Sequence, residues 1–142
     1  MKCLSVKQPF ADWILQGIKP RELRIYPLKY QGPLLIHSSK IPDVEFMKQY
    51  GIDSLRFRNG CILGMVISKG SIQYAPGSYA WIMESLRIFN PFIPHKGKLG
   101  LYDIEMEDLE IDHASEDFEF LERYFARKNV EDGKEVREIP SA

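Results

Sequence analysis

The chain has little of what most enzymes and secreted scaffolds are built from. Its 142 residues include only two cysteines, Cys3 and Cys61. They lie far apart in apolar runs, which excludes a disulfide scaffold and matches no metal-ligand spacing; both read as buried free thiols. The three histidines, His37, His95 and His113, are equally dispersed. No metal site is therefore expected. There is no GxGxxG, Walker loop, GxSxG or HExxH, so the common dinucleotide, P-loop, serine-hydrolase and zinc-protease chemistries are excluded and no cofactor is expected. Any catalysis would fall to Lys, Glu, Ser or Tyr. No apolar run approaches the roughly 18 residues of a membrane span, and Met1-Lys2-Cys3-Leu4 opens without a secretory apolar region. The chain is expected to be cytoplasmic, with no membrane partner. Repeats, linkers and low-complexity segments are absent as well.

What is present is ordinary globular material: 44% apolar and 27% charged residues, enough chain for one core burying roughly 70% of the unfolded surface. The formal net charge of −1 hides an asymmetry. Residues 1–40 carry seven bases against two acids, and residues 103–142 carry five bases against fourteen acids. The first forty residues thus resemble part of an anion-binding surface, or else solvated charges that happen to cluster.

Local patterns predict the elements. Cys3 to Val6 reads as a strand, and Pro9 suits the first position of a helix. Phe10, Trp13, Ile14 and Gly17 follow at i, i+3, i+4, i+7, an apolar face closed by glycine. Arg21 to Tyr26 is expected to be extended. Gly32-Pro33 is expected to turn into the strand Leu34-Leu35-Ile36. Asp43 can cap a helix through Phe46, Met47 and Tyr50, stopped by Gly51. Cys61–Ile67 and Tyr79–Phe89 read as strands about a Pro76-Gly77 turn. Pro91, Pro94 and Gly97 suggest an irregular loop before a strand over Leu99–Ile104. Ser115 could cap a last helix with Phe118, Leu121 and Phe125 as its apolar stripe, ending at Asn129; Val136 and Ile139 could pin a short edge strand. About six short strands with an early helix imply an α+β domain built on a small, strongly curved sheet or barrel.

The stretch Gly17-Ile18-Lys19-Pro20-Arg21-Glu22-Leu23-Arg24 concentrates chemistry. In an extended chain Glu22 and Arg24 point the same way. Lys7-Gln8 precedes the first helix and Lys19 follows it; about nine helical residues separate such ends by only about 13 Å. These groups and Lys40 could share one rim. Arg24 offers a fork of donors suited to phosphate, Gln8 suits a base edge, and Glu22 could hold the arginine or accept a proton. A plain surface ion pair between Glu22 and Arg24 remains the other reading.

Three segments together resemble the ASCH domain, the activating-signal-cointegrator homology family: Leu4-Ser5-Val6-Lys7-Gln8-Pro9-Phe10-Ala11, the Gly17–Arg24 stretch, and Tyr30 to Lys40. Tyr79-Ala80-Trp81-Ile82-Met83-Glu84 and Pro94 to Leu101 look like that family's closing strands. The resemblance covers about residues 3–104, leaving residues 105–142 as an acidic extension with one helix and a tail. It implies a PUA-like β-barrel of about six strands with flanking helices, and a cleft beside the first helix that binds RNA or single-stranded nucleic acid, or a modified nucleotide. By position it implies a nucleic-acid site of Lys7, Gln8, Lys19, Glu22, Arg24, Lys40, Tyr79 and Trp81. Trp81 has two places open to it, stacked on a base in the cleft or filling the core. Some relatives resemble amidohydrolases that deacylate a modified cytidine with a lysine, a threonine and a glutamate. Lys19 is kept here, but Glu22 stands where those relatives carry the threonine. A hydrolase acting on an acylated nucleoside or on RNA would have to use Lys19 and Glu22 as its catalytic pair, with Tyr26 in support. A third expectation is a protein partner docked on the acidic C-terminal helix.

Overall fold

A computed structural model describes residues 1–19 and 21–130. The chain runs β1 (Lys2–Val6), α1 (Phe10–Leu15), β2 (Arg21–Arg24), β3 (Gln31–Ser38), α2 (Val44–Gln49), β4 (Cys61–Ala75), β5 (Ser78–Pro94), β6 (Leu101–Asp103) and α3 (Glu116–Val130), with single 3-10 turns before β4 and after β6. The six strands form one mixed sheet in the order β2-β5-β4-β3-β1-β6, curled into a half-barrel with the three helices flanking it. Among the described residues only β1 and β3 pair in parallel. This is the small, curved α+β sheet that the strand pattern implied. Among the described residues no helix is long and apolar enough to cross a membrane.

The sheet is buried on both faces, and the period of two along its strands sorts the cores. Leu4, Val6, Leu34 and Ile36 join Ala11, Ile14 and Leu15 of α1 on one side. Cys3, Leu35, Met65 and Phe89 join Phe120, Leu121 and Phe125 of α3 on the other. A central strand covered on both faces has no polar side to show, which is why the middle of β3, Leu34-Leu35-Ile36, reads as an unbroken apolar run. Both cysteines are free and buried. Burial pushes the Cys3 thiol up to about 12, and its Sγ donates to Tyr102.

Several local expectations hold. Asp43 accepts from the Phe46 amide at 3.1 Å, and Ser115 caps α3 by accepting from the Phe118 amide at 3.1 Å. The turn at Pro76-Gly77 joins β4 to β5. Three others are corrected. Gly32 and Pro33 lie inside β3 rather than in a turn, because this part of β3 precedes its pairing with β1 and a missing donor costs little beside a single neighbour. Pro91 and Pro94 belong to β5 rather than to a loop: Phe89 to Phe92 bulge opposite Leu63, which absorbs a proline without ending the strand. In α3 the buried stripe is Asp117, Phe120, Leu121 and Phe125, while Phe118 turns aside to stack on His113. The expected strand through Val136 and Ile139 lies outside the described residues.

Candidate functional site

β2 begins just beyond α1 and pairs antiparallel with β5, placing Glu22 beside Trp81 and Arg24 beside Tyr79 on one face. The alternation that buries Glu22 exposes Arg21 and Leu23. Glu22 is only 8% exposed, and both of its oxygens are engaged. Lys19 Nζ donates to Oε1 at 2.9 Å, and Arg24 Nη2 donates to Oε2 at 3.0 Å. Each cation also lies over an aromatic ring, Lys19 over Phe10 at 4.3 Å and Arg24 over Trp81 at 5.4 Å. Arg24 Nη2 donates in addition to the Ser5 carbonyl. One carboxylate thus holds two cations in fixed positions, and the triad keeps a net positive charge. Among the described residues Arg24 Nε and Nη1 have no partner, so three of its five donors remain.

These groups line a cleft of about 450 Å³ with Lys7, Phe10, Leu23, Asp43 and Gly100. A second cleft of about 670 Å³ adjoins it and shares Ser5, Ser39 and Leu99. Its cations are Lys40, Lys96 and Lys98. At its floor His37 Nε2 lies 2.8 Å from the His95 carbonyl, which places a proton on Nε2 and turns Nδ1 toward Ser5 Oγ at 3.0 Å. The single Ser5 hydroxyl proton then has two acceptors, Nδ1 and the Lys98 carbonyl at 2.6 Å, and bonds one of them at a time. Burial lowers the pKa of His37, and of His95, below the ordinary imidazole value, so both are neutral at pH 7.

Four of the expected site residues, Lys7, Lys19, Glu22 and Arg24, meet in the first cleft. Lys40 lies in the second. Three line neither cleft. Gln8 is fully buried: its amide donates to Asp12 and to the Arg58 carbonyl, and its oxygen accepts from the Asp12 amide, so it ties α1 to the loop before β4. Trp81 is fully buried in the core with its indole N–H donating to the Tyr26 carbonyl. Tyr79 packs against that same core and lines neither cleft. The aromatic in the cleft is Phe10, which belongs to a cluster with Trp13 and Phe46. The helical period of α1 had marked Phe10 as simple core. The Lys96-Gly97-Lys98 loop was also missed; two lysines between proline and glycine were the signal available.

The sequence profile of the ASCH domain family matches residues 4–120, past residue 104 and into the first turns of α3. No curated protein matches the chain.

Proposed function

We propose that this chain, which belongs to the ASCH domain family, binds single-stranded nucleic acid, RNA in the first instance, in the cleft between α1 and β2. The observation that carries this reading is the Lys19–Glu22–Arg24 clamp. Two cations are fixed at the wall of a cleft before any ligand arrives, so little side-chain entropy is lost when a phosphate takes the remaining donors. Lys7, exposed on the same rim, adds a third cation. Phe10 and Leu23 supply apolar surface for a base.

The same geometry disfavours hydrolysis by a Lys19–Glu22 pair. A general base must reach the substrate proton, and Glu22 is buried with both oxygens held by cations, so little of its carboxylate is open to a substrate. Glu22 positions the donors and does not attack.

Titration of the chain with a fluorescent single-stranded RNA at several salt concentrations tests the reading. Affinity should fall steeply with salt, and Lys19→Ala with Arg24→Ala should weaken binding at least tenfold and reduce the salt slope by about 1.4, two phosphate contacts at about 0.7 each. Undetectable binding at low salt, or binding unchanged in the double variant, would sink it.

A further inference from the structure

We propose that the nucleic-acid site does not end at the first cleft but continues past Leu99 into the second, so that the ligand is a strand of two or more nucleotides with phosphates on both sides of that leucine. This deepens the nucleic-acid reading above and rests on it.

Contiguity is the first reason. Ser5, Ser39 and Leu99 line both clefts, so the two form one groove. Charge is the second. Among the described residues the second cleft is lined by Lys40, Lys96 and Lys98 and by no carboxylate. Among the described residues none of these lysines forms an ion pair, whereas the acids of the first cleft, Glu22 and Asp43, are both engaged. Three solvated ammonium groups around a concavity repel one another, and a polyanion relieves that repulsion.

Rigidity is the third. The loop that carries Lys96 and Lys98 is fastened from beneath by His37 to the His95 carbonyl, by Ser5 to the Lys98 carbonyl, and by the His95 amide to the Gly60 carbonyl at 3.0 Å. Gly97 packs directly on the His37 ring. A cationic loop that only solvates itself needs no such buried polar support.

Leu99 is the fourth. It is 97% exposed at the junction of two cationic clefts, so the fold derives nothing from its side chain. An apolar side chain projecting between two phosphate-binding compartments fits between successive bases, where unstacking exposes apolar base faces.

The test uses the whole chain, with uridine 5′-monophosphate and oligouridylates of two, four and eight nucleotides at low salt. Affinity should rise at least tenfold from the monophosphate to the tetranucleotide. Lys96→Ala with Lys98→Ala, both exposed and outside the core, should remove most of that rise and lower the tetranucleotide's salt slope by about 1.4. Monophosphate affinity should fall much less than tetranucleotide affinity, since only long-range attraction is lost. Leu99→Ala should reduce the rise and leave the salt slope alone. A wild-type affinity independent of length, or a Lys96/Lys98 double variant that behaves as wild type, overturns the extended groove and leaves the first cleft standing. Equal displacement of the RNA by an oligoglutamate of the same charge overturns it in favour of a general acidic-peptide surface. Failure of every uridylate to bind at low salt instead removes the nucleic-acid reading itself.

Discussion

Gly97 packs against the imidazole of His37. A β-carbon on Gly97 would come within 2.4 Å of ring atoms Cε1 and Nδ1, and 2.9 Å from the Tyr102 hydroxyl. The histidine is buried, with Nε2 bonded to the His95 carbonyl and Nδ1 3.0 Å from Ser5 Oγ, so it has little room to retreat. Gly97→Ala should therefore destabilise the fold by about 1–3 kcal/mol, the cost of overpacking a fixed site. Urea unfolding measures this, and a variant as stable as wild type would mean that the loop moves freely.

His37 also sets a pH dependence. Burial is the main cause that lowers its pKa in the folded chain, with the His95 carbonyl opposing, and His95 is lowered by burial too. The unfolded imidazoles titrate near 6.5 and bind protons that the folded ones refuse. Stability should thus rise with pH through the interval between the folded values and about 6.5, and level off above it. Urea midpoints from about pH 5 to 7.5 check the sign, and a two-dimensional NMR titration assigns it. A His37 resonance that titrates above 6.5 contradicts it.

Glu22→Gln keeps the shape of the clamp and removes its charge. Lys19 and Arg24 retain partial solvent contact, with side chains 27% and 23% exposed, so the penalty is smaller than for a fully buried pair. About 1–2 kcal/mol of stability should be lost. The variant should still bind RNA, because the cations that meet phosphate are unchanged. Loss of binding together with full stability would assign Glu22 a direct role at the ligand.

Asp117 docks α3. The residue is 6% exposed, and its carboxylate accepts from Arg87 Nε at 2.9 Å and from the Asn90 amide at 2.8 Å. Asp117→Ala should cost about 1–3 kcal/mol by stranding both donors. The helix should loosen first, and amide exchange in residues 116–126 would report it. Uniform exchange across the sheet and α3 would instead show one cooperative unit.

Much of the local structure was legible because it obeys short-range rules. The Asp43 and Ser115 caps and the Pro76-Gly77 turn each depend on residues within four positions of one another, whereas the buried face of α1 is Ala11, Ile14 and Leu15, of which the expected Phe10-Trp13-Ile14 face held only Ile14. The prolines of β3 and β5 misled for the opposite reason. What decides a strand proline is whether a neighbour asks for its missing donor or a bulge absorbs it, and the neighbouring strands lie about thirty residues away in sequence.

By itself the sequence determined the family motifs, the curved α+β sheet and the excess of cations in the first forty residues. It also placed Lys19, Glu22 and Arg24 close enough to meet, since the contacts span only two and three positions. Tertiary structure alone decided the directions of the longer-range groups. Gln8 turned inward because its amide meets the Arg58 carbonyl, and Trp81 because its indole meets the Tyr26 carbonyl. Lys98 came to the groove because its carbonyl meets Ser5, 93 positions earlier. Which face a side chain takes depends on partners brought together by sheet pairing, and no window of local sequence contains both members of such a pair.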